Sequence, residues 1–429
     1  MTADSNDLSP GLVLSAFRAL RPASNGAELA ALLCPPYDVI SPGERAALLA
    51  GDPDNAVAVV LPQEHDGLDR YQAAAALLES WADSGRYVVD EHESLYVYEM
   101  RTAEGATTRG LLGAVELRDP ADGVILPHEN TMAGPVSDRL ALMSATEANV
   151  EPIYLVYDGG GAASAAVRSV DGEAPLASAT TPDGTTHTLW AIDDPAVLEG
   201  CAADLASRRA LIADGHHRYA TYRQLQEQLR AECGPGPWDY GLTLLVDSSS
   251  YGPQVHAIHR AVVGLPFAEA RDAARTWGLA VEPVTDPAAA IAAAEGVDGF
   301  LVVITDGTES ARITDPSGAL RTASELPGEP AALAGLDVTM LHRGLVEQVW
   351  GRPDTVESLT YAHSIPEVLA AAAEAAGTAV LLRPTPVAAV AAVAAAGARM
   401  PRKSTLFTPK PASGLVMRRF ADAGEPAAS

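Results

Sequence analysis

The sequence predicts a mixed α/β (α+β) protein of more than one domain. Helical periodicities alternate with short apolar runs along nearly the whole chain, the pattern of layered helices and sheets. A length of 429 residues exceeds the roughly 100 to 200 residues of one ordinary domain. A composition of 48% hydrophobic and 20% charged residues is that of a soluble globular chain able to bury a large core. The expected divisions are an N-terminal α/β domain over 1–120, a central domain over 121–265 and a C-terminal α/β domain over 266–429.

Each element has a local reason. In the first segment, SPGERAALLA opens on a serine with a glutamate three residues later, a capping box, and predicts a helix from Ser41. The apolar run NAVAVVLP, 55–62, reads as a strand, and DRYQAAAALLESWADSG, 69–85, as a longer helix. SLYVYEMR and GLLGAVELR flank a turn containing Ala103-Glu104-Gly105 and predict a hairpin. The central segment offers a helix at SDRLALMSATEAN opened by Asp138 and Arg139, a buried strand at PIYLVYD, a Gly/Ala loop at GGGAASAA and a strand at THTLWAI. Helix PAVLEGCAADLA, strand RALIAD, helix HHRYATYRQLQEQLRAE and strand YGLTLLVD follow. The last segment alternates helices such as PFAEARDAARTWG with strands such as GFLVVITD and TAVLLRP, and ends on a strand at GLVMRRF.

Charge narrows the function. With 29 basic and 56 acidic side chains the formal charge is -27, which repels a nucleic-acid backbone over any long contact surface. A small anionic substrate stays compatible, because a pocket responds to its own few charges more than to screened distant ones. Three cysteines fit neither a paired metal pattern nor an even disulfide framework, so a reducing compartment, the cytoplasm, is expected. The N-terminus has no basic region ahead of its short apolar run, and TAVLLRPTPVAAVAAVAAAG is broken by Arg383, Pro384 and Pro386. No membrane partner is expected, and self-association into a homo-oligomer is left open.

Three stretches carry chemistry. In LIADGHHRYATY, 211–222, a strand runs into Asp214 and Gly215 and a helix follows at once. Asp214 can cap that helix, Gly215 permits close approach, and the first-turn N–H groups can receive an anion. His216 can shuttle a proton, while His217 and Arg218 can hold phosphate, Arg218 bidentately. The same residues can equally serve as a cap, local hydrogen bonds and a surface ion pair. In GVILPHENTMAGPVSDRLAL a strand ends at Pro127 and leaves His128 and Glu129 on a loop. A carboxylate there can accept a hydroxyl proton, and His128, Asp138 and Arg139 can touch substrate. In MPRKSTLFTPKPASG stand Lys403 and Lys410, the only lysines of the chain. Lys403, beside Ser404 and Thr405, is the stronger phosphate ligand, and Lys410, between two prolines, can hold the loop's shape or touch substrate. CPPYDVIS, 34–41, reads alone as a proline-stiffened turn, and HAIHR, 256–260, as a basic strand or ordinary surface. The HHR run lacks the spacing of a zinc protease helix.

CPPYDVIS, ILPHENT, DRLALMSATEANVEPIYLVYD, IADGHHRYATY, LDVTMLHR and MPRKSTLFTPKPASGLV, in this order, resemble a widespread prokaryotic family of unknown function, DUF1015. The chain departs from that family at GPVSDRL, where a lysine commonly stands at the position of Val136 or Ser137. DGHHRYATY is also similar to the phosphate-binding signature of the ParB/sulfiredoxin superfamily, which includes free-serine kinases. That resemblance implies a ParB/sulfiredoxin-like phosphate-binding core with additional α/β domains. It further implies that Asp214, Gly215, His216, His217 and Arg218 hold a transferring phosphate, that Asp214 binds Mg²⁺, and that Glu129 is the base. Tyr219, in the same run, becomes a substrate contact. The expected activity is transfer of phosphate from ATP, ADP or pyrophosphate to free serine or a similar hydroxyl compound. A non-catalytic nucleotide- or phosphate-binding regulator and a metal-dependent phosphohydrolase using Asp214, His216 and His217 are the alternatives.

Overall fold

Strands from widely separated stretches pair into one large sheet. The computed structural model describes residues 11–423 and is a mixed α/β protein divided into two units. The first unit comprises, of the described residues, 11–127, 131–253 and 409–423. Its main sheet contains β1 (Leu14–Ser15), β2 (Leu95–Arg101), β3 (Thr107–Glu116), β4 (Ile125–Leu126) and β5 (Ile153–Tyr157). It continues with β6 (Ala177–Thr180), β7 (Thr186–Ile192), β8 (Ala210–Asp214) and β9 (Tyr240–Asp247). The spatial order is β4–β8–β5–β9–β3–β2–β7–β6, with β1 also paired to β3. β5 runs parallel to β9 and β4 parallel to β8; the other pairs are antiparallel.

Helices cover this unit. They include α1 (Pro42–Gly51), α2 (Val57–Val60), α3 (Arg70–Asp83), α4 (Ala133–Thr146), α5 (Gly161–Ser169), α6 (Pro195–Leu205) and α7 (His216–Cys233). The expected capping box at α1 is present, with Ser41 N donating to Glu44 Oε2 at 2.7 Å and Glu44 N to Ser41 Oγ at 3.3 Å. Leu95, Val97, Leu111, Val115, Leu155, Ile212 and Leu245 fill one core, and Val57, Val60, Leu78, Trp81 and Leu142 a second.

Four expectations are corrected. NAVAVVLP is not a strand: Asn55 Oδ1 accepts from Val57 N, and its amide donates to the carbonyls of Ala31 and Leu33, winding the valines into the buried turn α2. GGGAASAA is not all loop, because Asp204 accepts from Ala163 N and the alanines continue as α5. The helix expected to open at Asp138 begins at Ala133, so Asp138 and Arg139 lie in its second turn. In GLVMRRF only Arg418–Arg419 forms a ladder, against Ala148–Asn149.

His187 on β7 is buried, with Nδ1 2.8 Å from the Tyr98 hydroxyl, and burial pushes its pKa down to about 4. The folded chain therefore refuses a proton that the unfolded chain accepts below about pH 6.5. Stability is unaffected by this group at neutral pH and falls as pH drops from about 6.5 towards 4, by up to about 3 kcal/mol. Denaturant midpoints at pH 7 and 4.5 check this, with His187→Gln expected to flatten the difference.

The second unit comprises residues 128–130 and 254–408. β10 (Gln254–His256) belongs to a small ladder, and β11 (His259–Val262), β12 (Ala280–Pro283), β13 (Leu301–Thr305), β14 (Ser310–Thr314), β15 (Leu359–Ala362) and β16 (Thr378–Leu381) to the unit's main sheet. That sheet is antiparallel, ordered β12–β14–β13–β16–β11–β15, and β17 (Leu406–Thr408) completes the ladder with β10. α8 (Phe267–Trp277) and α9 (Ile365–Glu374) pack against the sheet. Part of the LDVTMLHR block lies in a wide π-helical segment, Met340–Val349. No helix among the described residues is long and apolar enough to cross a membrane.

Candidate functional site

The DGHHR stretch is shaped by a break in the sheet. β8 pairs with β5 as Leu211↔Val156 and Ile212↔Leu155, then Asp214↔Tyr154, so the register shifts before Asp214. Such a bulge bends the strand and re-aims the next side chain. Gly215 follows at φ +92°, and a Cβ there would lie 3.2 Å from Arg218 Nε and 3.3 Å from Ile153 Cα, so only glycine fits without strain. The 18-residue helix α7 starts immediately, with its dipole and first N–H groups at that turn.

Asp214 does not cap α7; Gly215 occupies the cap position, without a side-chain cap. Its carboxylate instead faces two cations. Oδ2 accepts from Arg218, and Oδ1 lies 2.7 Å from Lys410 Nζ. Lys410 also approaches Asp38 Oδ2 at 3.4 Å. Burial works against the Lys410 ammonium, but Asp214 and Asp38 more than offset it and hold its pKa above the ordinary lysine value.

Arg218 is 3% exposed, and its guanidinium bridges Asp214 and the Pro152 carbonyl. Burial opposes its charge, while Asp214, Glu151 and Asp38 favour it and leave its pKa raised. It is a buttress that fixes Asp214, with both terminal nitrogens engaged inside the protein.

Behind this pair sits Glu151, also 3% exposed. Its Oε1 accepts from Tyr37 N at 3.0 Å and from Ser413 Oγ at 2.8 Å. Arg139 Nη1 lies 3.9 Å from Glu151 Oε2, and the Arg139 guanidinium stacks 4.3 Å from the Tyr37 ring centre. Burial pushes the Tyr37 phenol up to about 12, so it stays protonated. Arg139 is tied to Asp138 and donates to Val60 O at 2.6 Å. Arg139 and Asp138 also line a cavity of about 320 Å³, with Arg45, Arg70 and Ser41 on its walls. Burial raises Asp138, but the Arg139 hydrogen bond and charge together with Tyr71 and Arg70 outweigh it, so that carboxyl sits below its ordinary value.

Other expected site residues take quieter positions. His216 is buried at the start of α7, and His217 Nε2 accepts from Met132 N at 3.1 Å, tying α7 to the entry of α4. The Tyr219 hydroxyl is used by the backbone of Arg118, donating to its carbonyl at 2.6 Å.

In the second unit, His128 is buried with Nε2 3.0 Å from Thr405 Oγ1, and its carbonyl accepts from Met400 N at 2.8 Å. Ser404 Oγ closes a turn on the Pro401 carbonyl. Lys403 is exposed at φ +53°, an uncommon backbone for a non-glycine residue, and its carbonyl accepts from Arg260 at 2.8 Å. Glu129 lies on the loop of the same unit.

The structure thus joins Asp214, Arg218 and Lys410 in the first unit, and His128, Lys403, Ser404 and Thr405 in the second. Sequence reasoning passed over Asp38, Tyr37, Glu151 and Ser413, although all four lie inside the blocks singled out. The available signal was an acid and an aromatic on a stiff turn, and an acid directly before a buried strand.

Fold and cluster define an α/β protein that presents a lysine, a fixed carboxylate and a helix N-terminus at one polar centre. The chain belongs to the family described as protein of unknown function (DUF1015), whose sequence profile matches residues 14–339. No curated protein matches it. Among solved structures it is similar to a free serine kinase variant in complex with ADP, at 14% identity and TM-score 0.34, covering 68% of this chain and 89% of that one. It is similar also to a conserved hypothetical protein from Pyrococcus furiosus, at 14% identity and TM-score 0.33, covering 70% and 93%. SbnI with C-terminal truncation from Staphylococcus aureus is similar at 10% identity and TM-score 0.36, covering 72% and 87%. Likenesses this distant assign no activity.

Proposed function

We propose that the protein is a small-molecule phosphotransferase of the cytoplasm, acting on free serine or a similar hydroxyl compound with ATP, ADP or pyrophosphate as donor. The observation that supports it most is Lys410 Nζ held 2.7 Å from Asp214 at the start of α7. Phosphoryl transfer asks for positioning and neutralisation of phosphate charge, and a lysine beside a helix N-terminus supplies both. In this reading Lys410 and the first N–H groups of α7 take the transferring phosphate, and Arg218 acts through Asp214. The cavity bearing Arg45, Arg70 and Arg139 takes the remainder of an anionic substrate. A general base takes the proton of the attacking hydroxyl in such a transfer, the role that the sequence resemblance gives to Glu129.

Among the described residues no group of three or more His, Cys, Asp or Glu side chains forms a metal site. The donors fit a magnesium ion that arrives with a polyphosphate, one carboxylate oxygen coming from Asp38 or Asp214 and the other ligands from phosphate and water. Such an ion would neutralise phosphate charge.

A second reading, a phosphate- or nucleotide-binding regulator, is favoured by the internal engagement of Arg218, Ser404 and Thr405. Incubation with serine and each donor, followed by phosphorus NMR, separates the two. Phosphoserine is expected, with a loss of about 10²- to 10⁴-fold in Glu129→Gln. Binding without product for every donor would leave the regulator, and phosphate release without an acceptor would indicate a hydrolase.

A further inference from the structure

The cavity of about 320 Å³ in the first unit has one carboxylate on its walls, Asp138, with Arg70 and Arg139 beside it and Arg45 reaching in from α1. Two of these arginines are committed to the acid. Asp138 Oδ1 lies 2.9 Å from Arg70 Nη2 and accepts from the Tyr71 hydroxyl at 2.9 Å, while Oδ2 accepts from Arg139 Nε at 3.0 Å and from Nη2 at 2.6 Å. The remaining Arg139 nitrogen donates to Val60 O at 2.6 Å. Both oxygens of Asp138 are thus occupied, and this group forms the frame of the cavity.

Arg45 stands apart from that frame. Among the described residues its side chain makes one bond, from Nε to the Leu61 carbonyl at 2.7 Å, and it meets no carboxylate. The bond anchors the guanidinium and leaves both terminal nitrogens without a protein acceptor. Burial lowers the Arg45 pKa below the ordinary arginine value and no acid raises it, yet a guanidinium stays charged at any physiological pH. Ile40, Leu61 and Pro62 make the neighbouring wall apolar, a surface for a short carbon skeleton. The cavity also adjoins the Asp214–Lys410 centre. Asp38, 3.4 Å from Lys410 Nζ, and Ile40 on the cavity wall share one short turn, and Arg139 runs from Asp138 to the face of the Tyr37 ring.

We propose that this cavity binds the carboxylate of a small hydroxylated acid of about serine's size, with the terminal nitrogens of Arg45 as its ligand. The edge of one planar guanidinium matches the two oxygens of a carboxylate bidentately. A polyphosphate asks for several cations, and here a single open one stands near an ionised Asp138. The choice of acceptor over donor rests on the transferase reading, in which Lys410 and the start of α7 take the phosphate. Arg45 then becomes the residue that selects acceptors carrying a carboxylate, and the apolar wall sets their length.

Isothermal titration of the full chain with L-serine, serinamide and pyrophosphate, in the wild type, Arg45→Gln and Arg45→Lys, tests the proposal, with phosphorus NMR of the same samples reporting product. L-serine is expected to bind at least about tenfold more tightly than serinamide, which lacks the carboxylate charge. Arg45→Gln should remove most of that difference while leaving serinamide and pyrophosphate within about twofold, and Arg45→Lys should restore part of it. Matched melting curves check the fold of both variants. No binding of L-serine, equal binding of serinamide, or a loss in Arg45→Gln shared by all three probes or confined to pyrophosphate would each overturn the assignment. The expected binding pattern without phosphoserine from any donor would keep the cavity's role and remove the transferase reading. Phosphorylation of serinamide as readily as of serine would do the reverse.

Discussion

Arg218→Met is expected to destabilise the protein by about 3–5 kcal/mol in denaturant unfolding. Removing one member of a buried ion pair strands the other, and that penalty exceeds the net worth of the pair. Arg218 is 3% exposed and holds both Asp214 and the Pro152 carbonyl, so its loss leaves a carboxylate and a backbone oxygen short of a donor. Arg218→Lys should recover only part of the loss, because an ammonium on a flexible stem does not reproduce a planar fork spanning two acceptors. A loss below about 1 kcal/mol would show that the pair is dispensable to the fold and would return Arg218 to consideration as a direct phosphate ligand.

Lys410→Gln should show the opposite balance. Removing a cation aimed at developing phosphate charge costs about 10²- to 10³-fold in turnover. The fold should lose little, since the Lys410 side chain retains 17% exposure and Asp214 keeps Arg218. Turnover of serine with the active donor, compared with the melting temperature of the same sample, separates the two effects. Full turnover in Lys410→Gln would remove Lys410 from the site and with it the main support for the transferase reading.

The contrast between these two basic residues shows what the sequence could tell. Helix α7 and its glycine were legible because strand, glycine and helix are adjacent and each has a local signature. The rarity of lysine marked both Lys403 and Lys410, and their neighbours drew the emphasis to Lys403. Ser404 and Thr405 suggested a phosphate cradle around Lys403, but those hydroxyls turn to Pro401 and His128. Lys410, between two prolines, is the lysine that meets Asp214. No local pattern encodes that meeting, because it depends on how distant stretches pack. The valines of 57–60 illustrate the same limit: their β-branched run favours a strand, and one buried asparagine contacting Ala31 and Leu33 winds them into a helix. The pairing of β3 with β9 is likewise a long-range choice that periodicity does not reveal.

The way residues 409–423 return to the first unit also bears on synthesis. They bring Lys410 to Asp214, while Arg418 bonds Asn149 at 3.2 Å and the carbonyls of Tyr240 and Pro237 at 3.1 and 2.9 Å. During vectorial translation, residues 254–408 leave the ribosome before this segment does. The second unit can thus assemble on the nascent chain while Asp38 and Asp214 still lack their shared lysine. A chain lacking residues 409–423 would leave Asp38 and Asp214 without their shared lysine.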